Sequence, residues 1–298
     1  MTIGVFGNST KPSLSNAIAS LLKHGAAYGL DFYLHKDLQR SLKKHPDGLV
    51  SKKQFLSAKE LVSESDLIVA FGGDGTILSA ARMVGRAETP ILGINLGKLG
   101  FLAEVSLDDL ESFIQDIVNQ RHIVEERSVL KIHIEKEKAE MVALNEIVID
   151  KSSSSRVIHI SVYVNDDYLV SYQGDGIIVS TPTGSTGYAL AAGGPIVAPT
   201  TDVLVIQPIS PHSLSARTVI VPDSSLVRIV VGHLSDSARV TADGQYERGF
   251  TPPSNIYIQK ADYKVKLVKR KDRSYYDVLR AKLFWGSDIR LIKGKEEK

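Results

Sequence analysis

Asp66-Leu67-Ile68-Val69-Ala70-Phe71 is charged only at its first residue and runs directly into Gly72-Gly73-Asp74-Gly75. An unbroken apolar run of this length reads as a strand buried on both faces, as found in parallel sheets. The next segment, Thr76–Val84, has the composition of a helix. A buried strand turning through glycines into a helix points to an α/β arrangement, because parallel neighbours need crossover connections. The surrounding sequence keeps the alternation. Thr2–Phe6, Asp31–Leu34 and Pro90–Ile94 read as further strands. Ser13–Ala27 places Leu14, Ile18, Leu21 and Leu22 at helical spacing, and Ser51–Glu64 reads as an amphipathic helix. Ser106–Val118 reads as another helix, with Ser106 as an N-cap and Asp108 and Asp109 in its first turn.

The pattern changes after Arg121. Ser128–Glu135 and Val157–Val164 alternate apolar and polar residues. Gly176–Ser180, Val203–Ile206, Thr218–Val221, Leu226–Val231, Arg239–Ala242 and Asn255–Gln259 are further strand-like runs with Pro and Gly between many of them. Few helical patterns interrupt, so this half predicts an antiparallel β domain. The expected fold class is α/β plus β: an N-terminal, Rossmann-like parallel-sheet domain over 1–122, and a C-terminal, antiparallel β-sandwich-like domain over 123–270. Ser152–Ser155 reads as a loop. The segment 274–286 is aromatic and apolar, so it is expected to pack rather than hang free, whereas the charged Lys293–Lys298 is expected to fray.

A length of 298 residues suits two domains. Hydrophobic residues at 43% and charged residues at 23% exclude a disordered or fibrous chain. A net charge of +2 without a long basic block gives no case for a nucleic-acid partner. With no cysteine, disulfides, thiolate catalysis and Cys-based metal sites are excluded. No run approaches the ~18 apolar residues of a membrane span. The N-terminus lacks the features of a secretory signal, so a soluble, cytoplasmic protein is expected.

Three elements carry chemistry. Gly72-Gly73-Asp74-Gly75-Thr76 places one carboxylate in a turn where glycines let an anion approach the backbone and the helix directs its N–H groups at the same spot. That suits a general base, or a group orienting a hydroxyl for phosphoryl transfer; a tight turn with a local cap is the plainer alternative. Gly174-Asp175-Gly176 opens a strand that runs into Thr181-Pro182-Thr183-Gly184-Ser185-Thr186-Gly187-Tyr188, dense in hydroxyls and glycines, which fits a polar ligand site or an ordinary loop. Asn145-Glu146 interrupts the apolar run 141–149, and buried polar side chains need partners, from a ligand or from the protein. Gly93–Leu99 is one residue short of a P-loop and lacks the hydroxyl after Lys98. There is no nucleophile elbow around Ser185 and no H-E-x-x-H. His212, after Pro211, reads as structural.

Taken together and in this order, these elements resemble the bacterial NAD kinases: Gly72–Thr76, Asn145-Glu146, the run from Gly174 to Tyr188, and the 272–285 tail. Gly193-Gly194-Pro195 and His212–Arg217 fit the same family, and the matches span residues 72 to 286. The resemblance implies ATP- and Mg²⁺-dependent phosphorylation of the 2′-hydroxyl of the NAD adenosine ribose. Asp74 would be the base with Gly75 close to the ligand, and Gly72, Gly73 and Thr76 would form the phosphate-binding loop. Asn145 and Glu146 would hold ribose hydroxyls, and Asp175 the other end of the dinucleotide. Thr186, Gly187 and Tyr188 would wrap the adenine and nicotinamide side, ahead of Ala189, Leu190 and Ala191. Arg156, Gln173 and Gln245 occupy matching positions. Gly187 stands where alanine is commoner, a change expected to leave the site intact. Gln173, rather than glycine, implies ATP instead of inorganic polyphosphate as donor.

The resemblance further implies that 271–298 packs with the first domain. A homo-oligomer is expected because the β domain supplies many edges that a partner subunit could cover, a homodimer or homotetramer being the family's sizes. No all-protein metal cage is visible, in keeping with Mg²⁺ arriving on the nucleotide. A glycine-aspartate turn of this kind also occurs in lipid and sugar kinases, which are not expected to carry Thr181–Tyr188 together with Asn145-Glu146. A dinucleotide-binding regulator without catalysis would not require the Asp74 carboxylate.

Overall fold

The computed structural model describes residues 1–42, 50–97, 99–135, 137, 140–152, 154, 156–232 and 237–285. The chain divides into two compact units, Met1–Glu125 together with the segment from Lys266 onward, and Glu126–Val265.

The first unit is built on a parallel sheet, as the strand–helix alternation predicts. Leu67–Gly72, buried at every residue, pairs on one side with Thr2–Gly7 and on the other with Ile91–Asn95. Asp31–His35 follows Thr2–Gly7, and Phe55–Leu56 lies beyond it. Past Ile91–Asn95, Leu267 and Val268 from the end of the strand Ser254–Lys269 pair parallel with Ile91 and Leu92. The helix Leu14–Ala26 presents Leu14, Ile18 and Leu21 to the sheet residues Ile3, Val5, Val69 and Phe71, and Leu110–Val118 adds Phe113 and Ile114 to the same core.

Three expectations in this unit need correction. Ser51–Glu64 is not one helix. Phe55 and Leu56 extend the sheet beside Leu34 and His35, and the helix starts only at Ala58. There Ser57 and Glu60 form a capping box, with Ser57 N–H donating to Glu60 Oε2 at 2.9 Å. The helix expected from Ser106 starts at Leu110, because Val105–Ser106 pairs as a short strand with Ile94 and Asn95. The aromatic tail packs only in part. The helix Tyr275–Leu283, capped by Ser274, buries Val278 and Leu279 but leaves Tyr276, Phe284 and Trp285 exposed. Lys293–Lys298 lies outside the described residues.

The second unit contains two antiparallel sheets. One has the order Val219–Pro222, Val203–Ile209, Gly176–Ser180, Glu146–Asp150, Ala238–Ala242, Tyr246–Phe250. In the other, Asp167–Gly174 pairs Ile158–Val164, which pairs Val227–Val231, which pairs the first part of Ser254–Lys269. Ile123–Ile134 and Met141–Ala143 complete it. Alternate residues of both sheets, among them Ile149, Ile177, Leu204, Val240, Ile160, Ile229 and Ile256, form one core. Asp167–Gly174 and Tyr246–Phe250 went unrecognised in the sequence because they are edge strands, with half-exposed residues on both faces and no clean alternation. No helix among the described residues is long and apolar enough to cross a membrane.

Candidate active site

Asp74 is the first residue of the helix Asp74–Val84, with Gly73 at the N-cap and Gly72 ending the buried strand. The Thr76 N–H returns to the Gly73 carbonyl at 2.9 Å, closing the turn, and Gly75 lies exposed at its tip. The half-buried Asp74 carboxylate accepts three backbone N–H bonds from one loop: Phe101 to Oδ2 at 2.9 Å, Leu102 to Oδ1 at 2.9 Å and Ala103 to Oδ1 at 3.2 Å. Such close approach requires glycine at position 100, where a Cβ would collide with Asp74 Oδ1. Behind the loop, Glu104 forms a buried ion pair with Lys269, and Arg273 Nη1 donates to the Glu104 carbonyl at 3.2 Å. These supports went unnoticed in the sequence. The Gly100–Glu104 segment carries no charge pattern until its last residue.

In the second unit, Asn145 and Glu146 stand where the strand Glu146–Asp150 begins, with Glu146 paired across the sheet to Ser180. Asn145 Oδ1 and Glu146 Oε2 are both buried and have no hydrogen-bond partner. The Tyr188 N–H bonds to the Glu146 carboxylate, the helix Tyr188–Ala191 starting beside it. Burial first, and the neighbouring Asp243 charge second, push the Glu146 carboxyl up to about 7. A Cβ on Gly187 would lie 3.0 Å from Glu146 Oε2 and 3.2 Å from the Gly184 carbonyl, so glycine leaves room at the unpartnered oxygen that alanine would take.

The raised Glu146 pKa predicts a stability effect with a definite sign. The penalty for burying the ionised carboxylate is absent below the ordinary carboxyl range and complete above pH 7. Going from 4.5 to about 7 corresponds to about 3 kcal/mol. Glu146→Gln is therefore expected to stabilise the ligand-free protein at pH 8 by up to that amount and by far less at pH 5. Chemical denaturation at the two pH values checks it, and an equal difference at both would remove ionisation as the cause.

The hydroxyl-rich run is more structural than its composition predicts. Thr181 Oγ1 donates to the Leu144 carbonyl at 2.6 Å, and Ser185 Oγ donates to the Pro182 carbonyl at 2.7 Å and accepts from Val197 N–H at 3.0 Å. Both residues are fully buried, so these hydroxyls fix the loop under Asn145 instead of facing a ligand. Thr186 caps back on Thr183, and Tyr188 stays exposed. Beside Ala189, Leu190 and Ala191 opens a cleft of about 590 Å³, bordered by Tyr188, Ala191, Gln207, Arg217 and Thr218.

The structure thus groups Asn145, Glu146, Thr186, Gly187, Tyr188, Ala189, Leu190 and Ala191. Gln245 sits in the turn beside them, its N–H on the Ala242 carbonyl at 3.0 Å. It sets Asp175 apart. Asp175 precedes the strand Gly176–Ser180 at the end away from the Glu146–Ser180 pair, about 17 Å along an extended chain. There it pairs with Lys151 at 2.8 Å, and the Lys151 ammonium bound to it holds its carboxyl below the usual range. Gln173 is exposed on the neighbouring edge strand, its carbonyl accepting from His212 N–H, and Arg156 is exposed on the loop before Ile158. Asp243, which no sequence signal had singled out, accepts N–H bonds from Leu144, Asn145 and Glu146.

This arrangement has known counterparts. The ATP-NAD kinase N-terminal domain matches residues 3–123, and the ATP-NAD kinase C-terminal domain matches residues 144–270. An NAD kinase of Bacteroides fragilis is 38% identical over 299 residues, spanning 98% of this chain and all of the relative. One from Caldanaerobacter subterraneus subsp. tengcongensis is 37% identical over 284 residues, 94% of this chain and 98% of the relative. Among solved structures, the yeast NADH kinase complexed with NADH superposes with a TM-score of 0.87 at 25% identity, covering 98% of this chain and 89% of that one. The NAD kinase from Archaeoglobus fulgidus in complex with ATP gives 0.74 at 25% identity, covering 94% and 99%. Matched over both domains and nearly its whole length, the chain belongs to the ATP-NAD kinase family, enzymes that phosphorylate NAD with ATP to make NADP.

Proposed function

We propose that Asp74 is the base of this kinase and that the acceptor is the 2′-hydroxyl of the NAD adenosine ribose. The observation that carries this reading is the Asp74 carboxylate, fixed by three N–H donors at the mouth of a helix. Oδ1 takes two of those donors and Oδ2 takes one, which leaves an Oδ2 lone pair for the hydroxyl proton. As the O2′–phosphorus bond forms, that proton passes to Oδ2 and the bond to the leaving ADP breaks. A secondary hydroxyl is a poor nucleophile at neutral pH, so positioning and charge neutralisation do most of the work.

Gly72, Gly73 and Thr76 shape the turn that receives the phosphates, and Gly75 borders the acceptor. Asn145 Oδ1 and Glu146 Oε2 are acceptors without donors, which ribose hydroxyls supply. Thr186, Gly187 and Tyr188 wrap the adenine and nicotinamide side, and Ala189, Leu190 and Ala191 begin the helix that follows, with Gln245 beside them. Asp175, set apart from Glu146 along the strand, serves the far end of the dinucleotide, and Gln173 and Arg156 stand at matching positions. Among the described residues no three His, Asp or Glu side chains cluster to hold a metal. Mg²⁺ carried on the triphosphate would neutralise charge on the transferred group.

The test is NADP⁺ formation from NAD, ATP and Mg²⁺, read through an NADP-specific dehydrogenase. Turnover with ATP and little with inorganic polyphosphate is expected from the Gln173 side chain, and ATP-like rates with polyphosphate would overturn that preference. NAD binding without NADP⁺ would favour the regulator reading. The enzyme is proposed to act in the cytoplasm as a homodimer or homotetramer. Supporting the assembly, the edge strands Asp167–Gly174 and Val219–Pro222 carry exposed Tyr168 and Ile220. Light scattering at micromolar concentration should give a multiple of 32.5 kDa, and a monomer mass would overturn it.

A further inference from the structure

The turn joining Ala238–Ala242 to Tyr246–Phe250 holds a buried carboxylate that the assignment above leaves without a role. Asp243 is 7% exposed, and it and Gly244 both adopt left-handed backbone, with φ of 52° and 62°. That turn aims the Asp243 side chain at three consecutive backbone amides. Oδ2 accepts from Leu144 N–H at 3.0 Å, and Oδ1 accepts from Asn145 N–H at 2.8 Å and Glu146 N–H at 3.3 Å. The Asp243 N–H in turn donates to the Glu146 carbonyl at 3.0 Å. Two of the residues fixed in this way end in the buried, unpartnered oxygens Asn145 Oδ1 and Glu146 Oε2. A non-glycine residue in left-handed backbone is costly, and here the conformation is held by the bonds it permits.

We propose that Asp243 is a positioning residue for the dinucleotide, holding Asn145 and Glu146 with their free oxygens toward the hydroxyls of the bound ligand. This rests on the reading that Asn145-Glu146 grips NAD. The charge of Asp243 adds a second consequence. Glu146 is bounded by Asp243 on the turn, Ser180 across the sheet, Asn145 beside it and the Tyr188 N–H, and Asp243 is the charged side chain of that set. With the Glu146 carboxyl raised to about 7, both of its forms are populated near neutral pH. One carboxylate oxygen takes the Tyr188 N–H, so protonation falls on the unpartnered Oε2, and the ionised form is the one that offers Oε2 to a ligand hydroxyl without a proton of its own. NAD affinity therefore rises as pH passes through 7, and removing the Asp243 charge moves that rise to lower pH.

The experiment is calorimetric titration of the full chain with NAD between pH 5.5 and 8.5, for wild type, Glu146→Gln and Asp243→Asn. Wild type should show a rise centred near pH 7 that Glu146→Gln abolishes. Asp243→Asn should bind NAD roughly tenfold more weakly at pH 8, since its amide cannot accept on both atoms, with the remaining rise shifted to lower pH. The shift of the centre reports the Asp243 charge beside Glu146, and the loss of affinity at pH 8, where Glu146 is largely ionised in both proteins, reports the positioning role. If Glu146→Gln matches wild type at every pH, the reading of Asn145-Glu146 fails. If Glu146→Gln abolishes the rise while Asp243→Asn keeps wild-type affinity and profile, the Asp243 proposal alone is overturned. Should Asp243→Asn not fold, amide exchange in the wild type decides: slow exchange at Leu144 and Asn145 supports the anchor, and fast exchange overturns it.

Discussion

Asp74→Asn is expected to lower kcat by about 10²–10⁴-fold while NAD still binds with nearly unchanged Kd. The geometry explains both halves of the expectation. In the proposed mechanism the carboxylate would reach the acceptor through Oδ2, since Oδ1 is occupied by the Leu102 and Ala103 N–H groups. An amide in the same place keeps the Oδ1 acceptor but offers the hydroxyl an N–H instead of a lone pair. Under that proposal proton removal is lost, whereas Asn145 and Glu146, proposed to hold the ribose, belong to another unit and are unchanged. The variant also sets its NH₂ against the Phe101 N–H, a mismatch worth about 1–3 kcal/mol of stability. Kinetics at saturating NAD, calorimetry and a melting curve separate the three effects. Full activity in the variant would remove Asp74 as the base.

The second large effect is expected at Lys269. Its ammonium is buried against the Glu104 carboxylate, with side-chain exposures of 4% and 9%. Lys269→Met leaves that carboxylate uncompensated in the interior and is expected to cost about 3–5 kcal/mol. Lys269→Met combined with Glu104→Leu removes both charges and should recover most of the loss, because an apolar pair of similar volume needs no desolvation. The pair also braces the loop whose N–H groups hold Asp74, and Lys269 Nζ lies 3.5 Å from the Phe101 carbonyl. The double variant should therefore fold well yet turn over more slowly than wild type. Denaturant midpoints and kcat for the single and double variants check this. A Lys269→Met loss below 1 kcal/mol would contradict it.

Much of this molecule was legible before folding was considered, and the exceptions share a cause. The strand, glycine turn and helix at Leu67–Val84 and the alternation through Ile158–Val164 were readable because burial on one or both faces imprints a local period. Phe55–Leu56 was misread because its pairing with Leu34 and His35 overrode a helical pattern. Asp167–Gly174 was missed because an edge strand carries no such period. At the site, Asp74 was visible as a carboxylate in a glycine turn, and Asn145 and Glu146 as polar residues interrupting an apolar run. The hydroxyls of Thr181 and Ser185 looked like ligand donors, yet they bond to backbone carbonyls.

The sequence by itself determined which residues could do chemistry and where each strand and helix could form, since those properties depend on residue type and on near neighbours. Only the tertiary structure decided what holds the chemistry in place. The three donors to Asp74 come from 27 to 29 residues along the chain, and the carboxylate under Leu144, Asn145 and Glu146 from 97 to 99 residues away. Bonds between backbone amides and a distant side chain leave no trace in the periodicity of either segment. The unpartnered oxygens of Asn145 and Glu146 became evident only once neighbouring chain had closed around them.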